Sequence, residues 1–330
     1  MGKKISRSSF TFVDLCCGIG GNRIAMEQLG GTCVFACDID PDARSVYAEN
    51  FGKLDATDLF NVSALPPHDV LCAGPPCYVY SRANRGDCRS GGQARKPSET
   101  DLAQSMRLWQ HILHLSRTTR YAMLFESTNT LQTARGNQFY QGLKATIMKH
   151  AKEVHDQILN AADYGVPQIR KRWYCVAFKQ PIKCFTFPKP THPIPVSIAS
   201  ILDKCPNKTH IRKRNVTYKR KENVYRTTSR CIGFLDGINT QNRRVFSRRY
   251  PGPCLTATAA FYVLHDAHER KHNHPQVRML NIHELCRYMG FPDQYRIPNK
   301  RVLSTRLLGK AVVPPIVYAI GKNLLCAKGG

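Results

Sequence analysis

Segments typical of strands alternate with segments typical of helices through the first half of the chain. The candidate strands, each a short apolar or β-branched run, are Phe10 to Leu15, Thr32 to Ala36, Val70 to Ala73 and Tyr121 to Phe125. The candidate helices between them are Asn22 to Leu29, Asp42 to Phe51 and Leu102 to Leu115. Parallel strands require crossover connections of this kind, so the order predicts an α/β fold with a parallel sheet.

The pattern changes after Phe178. From Lys179 to Arg249, prolines are frequent, helical periodicity fades and basic residues are crowded, which predicts a separate, irregular and mostly β lobe. Helical patterns return at Asn281 to Met289 and at Pro315 to Leu325. We therefore predict one domain over residues 1–178, a second over 179–270, and a segment, 271–330, that returns to the first.

The charge balance is strongly basic. Lys and Arg number 49 against 23 Asp and Glu, a net charge of +26. This excess indicates a polyanionic partner, of which nucleic acid is the usual one. A solubilising surface or a ribosome-adjacent protein is the alternative.

Cysteine use and the amino-terminal residues indicate an intracellular protein without a metal. Met1 to Ser9 is polar and lacks the apolar segment of a signal peptide, and no run approaches the roughly 18 apolar residues of a membrane span. The 14 cysteines are therefore expected to be mostly free thiols. Their spacing gives no zinc pattern, and we predict no metal.

A glycine-rich turn, Asp14-Leu-Cys-Cys-Gly-Ile-Gly-Gly21, joins the first strand to the first helix. Such a turn lets a ligand approach backbone N–H groups at a helix N-terminus. Asp38 follows the second strand about 20 residues on, where a carboxylate can bind ribose hydroxyls. The spacing is not GxGxxG and leaves no room for a pyrophosphate. It favours a nucleoside without phosphates, such as S-adenosylmethionine, over the alternative of a tight turn alone.

Cys77 stands at the tip of the third strand. Gly74 ends that strand, and Pro75-Pro76 prevent its continuation. A thiol held there is placed like a nucleophile. Glu126 follows the fourth strand, and the carboxyl ends of parallel strands line one crevice. An acid beside a thiol suggests nucleophilic attack with proton donation to the substrate. A carboxylate that caps the next helix is the alternative.

Two basic segments complete the set of candidates. Alternation in Gln168-Ile-Arg-Lys-Arg172, at the start of a strand, predicts that Gln168, Arg170 and Arg172 share one face. Arginines there can fork onto a base oxygen or a phosphate, unless the face is simply solvated. The long loop from Tyr78 to Glu99 is basic and glycine-rich, which suits a lid over an anionic substrate or an ordinary surface loop.

These residues, in this order, resemble the cytosine-5 DNA methyltransferases over nearly the full chain. The matching segments are Asp14–Gly21, Gly74–Cys77, Glu126–Thr128, Gly165–Arg172, Leu280–Pro292 and Gly309–Val313. The resemblance implies a Rossmann-like catalytic domain that binds S-adenosylmethionine, with a target recognition domain in the mostly β lobe. The implied cofactor-binding residues are Asp14, Cys16, Gly18, Gly20, Asp38, Ile39, Asp55 (with Asp58 as the alternative) and Pro76. The implied catalytic residues are Cys77, Glu126, Arg170 and Arg172.

The resemblance also implies a mechanism. The target cytosine is flipped out of double-stranded DNA, Cys77 attacks carbon 6, and Glu126 protonates or hydrogen-bonds N3. Arg172 holds the base oxygen and Arg170 supports the loop. Carbon 5 then takes the methyl group, and loss of its proton expels Cys77. We expect a monomer in the cytoplasm of a prokaryote, or in the nucleus or viral factory of another host.

Four positions depart from the family pattern. Cys16 stands where the family has Phe, Tyr78 where it has Gln, Ser127-Thr128 where it has Asn-Val, and Lys310 where it has Asn. These positions make supporting contacts, so we expect activity. A catalytically weakened DNA-binding relative is one alternative. A tRNA methyltransferase is another, because Cys184-Phe-Thr186 resembles a tripeptide of the tRNA-acting branch.

Overall fold

Strands and helices alternate through the first half of the chain, as the sequence predicts. The strands are β1 (Phe10–Leu15), β2 (Gly31–Cys37), β3 (His68–Ala73), β4 (Thr119–Thr128), β5 (Glu153–Asn160) and β6 (Lys171–Phe178). The helices are α1 (Gly21–Gln28), α2 (Pro41–Phe51), α3 (Glu99–Leu115) and α4 (Asn137–Met148). The structure, a computed structural model, describes residues 9–76, 98–132, 137–203, 212–213, 216–218, 231–236, 243–257, 261–264 and 276–328.

The second half contains short strands followed by helices. The strands are β7 (Arg212–Lys213), β8 (Val216–Tyr218), β9 (Cys231–Leu235), β10 (Arg244–Phe246), β11 (Tyr262–Leu264) and β12 (Gln276–Arg278). The helices are α5 (Ile282–Tyr288), α6 (Arg301–Lys310) and α7 (Pro314–Lys328).

The chain divides into two compact units. The first unit comprises Met1–Leu159, Lys171–Lys189 and Ile316–Gly330, and the second comprises Asn160–Arg170 and Pro190–Pro315. The chain thus leaves the first unit twice and returns twice. The sequence analysis predicted one departure, so the short excursion at Asn160–Arg170 is new. The assignment of these units to catalysis and target recognition stays a prediction.

The strands described in the first unit form a six-stranded sheet in the order β2-β1-β3-β4-β6-β5. β1 pairs in parallel with β2 and β3, and β3 pairs in parallel with β4. The alternation of strands and helices in the sequence predicted these parallel pairings. The antiparallel pairing of β4 with β6 was not predicted. It extends β4 to Thr128, beyond the expected end at Phe125, because Thr128 still pairs with Arg172.

Local signals set the helix starts. Asp40 caps α2 by accepting hydrogen bonds from the N–H groups of Asp42 and Ala43, and Pro41 occupies the first turn. α3 begins with a capping box in which Ser98 and Asp101 bond each other's backbone N–H. On the sheet, Trp109 of α3 packs edge to face against Phe125 of β4. The aromatic pair lies in the main apolar core of the first unit.

The strands described in the second unit form a six-stranded sheet in the order β7-β12-β11-β10-β9-β8. β10 and β11 are parallel, and the other pairs are antiparallel. The hydrophobic core formed by these strands is small, and Val245 and Val277 are almost completely buried in it. A mostly β lobe was predicted here. The sequence analysis also predicted α5 and α7 but missed α6, whose charged and hydroxylated sequence obscures the apolar period.

The carboxyl-terminal helix returns to the first unit. The Tyr121 hydroxyl of β4 donates to the Leu324 carbonyl (3.0 Å), and Lys328 pairs with Asp69 (3.3 Å). Among the described residues, one segment, Arg301–Lys328, is long and apolar enough to cross a membrane, and 67% of its most apolar stretch is buried inside the protein. A buried core helix has the same composition, so the segment is weak evidence for a membrane span.

Two helical glycines differ in the space around them. A Cβ on Gly309 of α6 would lie 2.5 Å from the carbonyl carbon of Thr256, whereas one on Gly142 of α4 would have no neighbour closer than Met106 Cε at 3.8 Å. We expect Gly309→Ala to lower the free energy of unfolding by roughly 2 kcal/mol through overpacking. Gly142→Ala should raise it by about 0.5–1 kcal/mol. Urea unfolding measures both, and equal effects would contradict the close approach at Gly309.

Candidate functional site

The parallel strands of the first unit end at one edge of the sheet. Leu15 of β1 is in register with Ala73 of β3, and Ala73 is in register with Phe125 of β4. The Gly74 N–H also donates to the Leu15 carbonyl (3.3 Å). The chain segments that follow Leu15, Ala73 and Phe125 therefore meet at this edge. They carry the glycine-rich turn, Pro75-Pro76 and Glu126.

The glycine-rich turn uses left-handed backbone conformations. Gly18 and Gly20 have φ values of 55° and 83°, and Cys16 also has a positive φ of 52°. A Cβ on Gly20 would collide with the ring of Phe51 in α2. Gly20 caps α1, so glycine is required there both for the turn and for the close packing of the helix.

Asp38 ties this turn to the end of β2. Its Oδ2 accepts from the Gly18 N–H (2.7 Å), and its Oδ1 accepts from the Asp40 N–H (2.8 Å). Ile39, the next residue, is 66% exposed. A ligand laid along the turn would thus meet a carboxylate and an exposed apolar side chain.

The two candidate aspartates after α2 have different contacts. Asp55 Oδ2 accepts from the Ala36 N–H (2.8 Å), and the Asp55 N–H donates to the Ala36 carbonyl (3.1 Å), so Asp55 lies beside the end of β2. Asp58 instead accepts from the Phe60 N–H (3.0 Å) and caps the short 3₁₀ helix Leu59–Asn61. This geometry favours Asp55 over Asp58 as a ligand-binding residue.

Asp14 is a fully buried carboxyl group behind the turn. Its Oδ1 accepts from Asn22 Nδ2 of α1 (2.9 Å), and its Oδ2 has no hydrogen-bond partner among the described residues. Burial raises the pKa of Asp14 to about 7, against the lowering effect of the Asn22 hydrogen bond. The sequence analysis selected Asp14 but missed Asn22, whose only signal was a polar residue in the first turn of α1.

The cysteines around the turn are protonated thiols. Burial raises the pKa of Cys16 and of Cys17 well above the usual thiol value, and it raises that of Cys37 to about 12. Thiols of this kind are poor nucleophiles. Cys16, which is half-buried, therefore offers a small apolar surface at the turn. Among the described residues, no group of three or more His, Cys, Asp or Glu could hold a metal ion.

Glu126 and Arg172 are brought together by the antiparallel pairing of β4 and β6. Glu126 is opposite Tyr174, and Arg172 is opposite Thr128. Their side chains thus lie diagonally on one face, with Arg172 Nε 3.4 Å from Glu126 Oε1. Both side chains are largely buried, at 18% and 12% exposure. In register, Glu126 is one residue beyond the level of Ala73, at the level of Gly74.

The predicted nucleophile lies outside the described residues. The description of this segment ends at Pro76, which is half-buried, and resumes at Ser98. Cys77 and the predicted lid up to Pro97 therefore lie outside the described residues. Their chain connection to Gly74 begins beside Leu15, at the edge of the sheet where Glu126 also lies.

Gln168 and Arg170 belong to the second unit, and both are buried. The Arg170 guanidinium donates to the carbonyls of Leu255 (3.0 Å), Gly309 (3.1 Å) and Ala311 (2.8 Å). Gln168 accepts from the Leu255 N–H (2.9 Å). The expected alternation from Gln168 to Arg172 fails because β6 begins only at Lys171. Arg170 thus joins backbone segments, which agrees with a supporting role.

Another buried pair fixes the start of α5 within the second unit. Glu284 accepts two hydrogen bonds from Arg278, at 2.6 and 2.7 Å, and it also completes a capping box with Asn281. Both charged side chains are almost fully buried. The segment Leu280–Pro292 is therefore held by a bidentate ion pair.

Comparison with known proteins gives one family. The family model of the C-5 cytosine-specific DNA methylase matches residues 10–326. Type II methyltransferase M.HpaII of Haemophilus parainfluenzae is 30% identical over 343 residues, which cover 97% of this chain and 90% of the relative. Type II methyltransferase M.HhaI of Haemophilus parahaemolyticus is 27% identical over 328 residues, covering 95% and 93%.

Solved structures of low identity share the fold. The methyltransferase EhMeth of Entamoeba histolytica superposes with a TM-score of 0.69 at 14% identity, covering 97% of this chain and 98% of its own. The Dnmt2 methyltransferase of S. pombe superposes with a TM-score of 0.67 at 16% identity, covering 98% and 100%. The predicted fold class, a Rossmann-like α/β methyltransferase domain with a smaller, mostly β lobe, is confirmed.

The raised pKa of Asp14 predicts a pH dependence of stability. The unfolded carboxyl loses its proton near pH 4 and the folded one near pH 7, so folding takes up a proton between these values. The contribution of Asp14 to the free energy of unfolding therefore falls as pH rises, by roughly 2–3 kcal/mol between pH 5 and 8. Asp14→Asn keeps the acceptor for Asn22 and should abolish that contribution. Urea unfolding at several pH values, without ligand, measures it. Parallel pH profiles for the wild type and the variant would contradict the assignment.

Proposed function

Because the chain belongs to the C-5 cytosine-specific DNA methylase family, we propose that it transfers a methyl group from S-adenosylmethionine to carbon 5 of cytosine in double-stranded DNA. The family and the enzyme class, a DNA (cytosine-5-)-methyltransferase, are as the sequence predicted. The observation that carries the finer proposal is the Glu126–Arg172 pair at the level of Gly74, three residues before Cys77.

The site at the end of β1 fits S-adenosylmethionine. The turn has open space at Gly18, where a ligand could approach the backbone closely. Asp38 can accept from ribose hydroxyls, and Asp55 can accept from an adenine amino group. Asp14 Oδ2 accepts no hydrogen bond from the residues that the structure describes. The cofactor would supply an electrophilic methyl group. The residues that we propose to hold it are Asp14, Cys16, Gly18, Gly20, Asp38, Ile39, Asp55 and Pro76.

The catalytic residues act on the cytosine ring. We assign Cys77 as the thiolate that adds to carbon 6, which makes carbon 5 nucleophilic. Glu126 donates a proton or hydrogen bond to N3, so negative charge does not build up on the ring. Arg172 orients the Glu126 carboxyl group and provides a positive charge for the base oxygen. After methylation, loss of the carbon 5 proton expels Cys77.

Arg170 and Gln168 support this arrangement through the chain. Both are anchored to buried backbone of the second unit, two and four residues before Arg172. Arg170 has its guanidinium bonded to three carbonyls, and its proposed role is to support the backbone of its own unit.

The nucleic-acid partner follows from charge. A protein with a net charge of +26 that neutralises several phosphates binds DNA with a steep dependence on salt. We propose that residues 1–178 bind the cofactor and catalyse the reaction and that residues 179–270 select the target. Residues 271–330 complete the catalytic part. We further propose that the protein works as a monomer, inside the cell, on duplex DNA.

We expect transfer of labelled methyl from S-adenosylmethionine to cytosine-rich duplex DNA, with the label recovered in 5-methylcytosine. Cys77→Ser should abolish transfer because a hydroxyl is a far weaker nucleophile. Cys326→Ser, at an exposed thiol of α7, is the matched control and should retain full activity.

The same assay distinguishes the alternatives. Label in transfer RNA and none in DNA would assign the chain to RNA methylation. Salt-sensitive DNA binding without label would indicate a weakened relative, and Cys16, Tyr78, Ser127 and Lys310 would be the positions to restore. Either result contradicts the proposed activity on DNA.

Glu126→Gln tests the acid. The variant keeps the size of the side chain but cannot donate a carboxyl proton, so we expect kcat to fall by roughly 10²–10⁴-fold. The KM for S-adenosylmethionine should change little. Glu49→Gln removes an exposed carboxylate from α2 and serves as the control for charge. Steady-state kinetics on duplex DNA measure both, and a loss below threefold for Glu126→Gln would contradict its role.

A further inference from the structure

Asp156 of β5 is the centre of a buried hydrogen-bond cluster in the first unit. Its Oδ2 accepts from Gln132 Nε2 (2.9 Å), the Tyr140 hydroxyl (2.6 Å) and Trp173 Nε1 (2.9 Å). Its Oδ1 accepts from Lys144 Nζ (2.8 Å). The Asp156 side chain is only 8% exposed. One carboxylate thus binds four donors from three parts of the chain.

The cluster keeps Asp156 ionised. Burial alone would raise its pKa, but the hydrogen bonds from Lys144, Tyr140 and Trp173 outweigh this effect and hold the pKa below its usual value. Charge-assisted hydrogen bonds to a buried carboxylate are among the strong ones. The donors are therefore held firmly, and removing the charge would loosen all of them together.

Two of the donors flank the candidate catalytic pair. Trp173 follows Arg172 directly on β6 and is the cross-strand partner of Ser127, the residue after Glu126. Gln132 ends the short 3₁₀ helix Asn129–Gln132, which follows β4. The cluster thus holds β6 through Trp173, directly after Arg172, and holds through Gln132 the short helix that follows β4.

The cluster acts from the opposite face of the sheet. Side chains alternate along a strand, so those of Trp173 and Ser127 project away from the face that carries Arg172 and Glu126. Trp173 also packs edge to face against Trp109 (6.4 Å between ring centroids) and Tyr140 (6.1 Å). Its indole is fixed by packing on its rings and by Asp156 at its nitrogen.

We propose that Asp156 is a positioning residue for methyl transfer: it holds Trp173 and Gln132 and thereby sets the separation of Glu126 from Arg172. The inference rests on the proposed function and extends it to a residue that touches neither base nor cofactor. A role in folding alone is the competing explanation. The two differ because positioning lowers kcat per folded molecule and couples to Arg172, whereas a loss of folded protein lowers only the amount of active enzyme.

The first test is kinetic. Asp156→Asn leaves one acceptor oxygen and places an NH2 group against either Lys144 or the other donors. Trp173→Phe removes a single N–H and keeps an aromatic ring. We expect each to lower kcat by roughly tenfold, because small displacements of catalytic groups are costly. The KM values for DNA and S-adenosylmethionine should stay within about twofold. Glu153→Gln, on the same strand but with a more exposed carboxylate paired to His155, should leave kcat unchanged.

The second test is coupling. In an Arg172→Lys background, Asp156→Asn should lower kcat by less than about twofold, because the group that it positions is already altered. A full tenfold loss in that background, or an unchanged kcat in both single variants, would overturn the proposal. Activities are expressed per folded protein, measured by circular dichroism. Trp173→Phe provides the same comparison if Asp156→Asn does not fold.

A third measurement is independent of activity. Crystal structures of the wild type and of Trp173→Phe give the distance from Glu126 Oε1 to Arg172 Nε, which is 3.4 Å here. We expect a longer or broken contact in the variant. An inactive wild type with a longer contact in the variant would refute the proposed function but not the positioning by Asp156. An unchanged contact in an active enzyme would overturn the positioning alone.

Discussion

Backbone hydrogen bonds between β1, β3 and β4 fix the relative positions of three segments that are distant in the sequence. Their parallel register brings Leu15, Ala73 and Phe125 to one level. The glycine turn, the Pro75-Pro76 segment and Glu126 follow directly from these ends. A register shift of one residue would turn Glu126 to the other face of the sheet. The candidate site therefore depends first on strand pairing and only then on individual side chains.

The antiparallel strand β6 adds a second constraint. Because β4 runs beside it as far as Thr128, Arg172 reaches Glu126 diagonally on one face, while Trp173 projects from the other. The two faces have different environments. One carries a largely buried acid and guanidinium, and the other carries an aromatic core with an ionised Asp156. We propose that the geometry of the candidate pair on one face depends on the packing of the other.

The sequence predicted the parallel strands and the candidate acids because both follow from local patterns. Apolar runs, a proline after a strand and a glycine-rich turn constrain the backbone within a few residues. The antiparallel pairing of β4 with β6 depends on contacts between residues about 50 positions apart, and no local pattern reports them. For the same reason the alternation expected from Gln168 to Arg172 fails, since burial of Arg170 is decided by carbonyls at Leu255 and Gly309.

The Asp156 cluster could not be predicted from the sequence either. A single aspartate in a strand is typical of a solvated edge, and only the fold reveals that Tyr140, Lys144 and Trp173 converge on it. Asp38 was easier to select, because it follows a recognisable strand end, whereas Asp55 was selected only through the family resemblance. Residues near an element boundary are therefore the ones for which sequence reasoning is most informative.

We propose that Cys77 and Glu126 act on one flipped cytosine. A crystal structure with S-adenosylmethionine and duplex DNA that contains 5-fluorocytosine tests it most directly, because fluorine at carbon 5 cannot leave as a proton does and the adduct is trapped. We predict a bond from Cys77 Sγ to carbon 6, with the Glu126 carboxyl group within hydrogen-bond distance of N3. A base that remains stacked in the duplex, or a bond from another cysteine, would contradict the account.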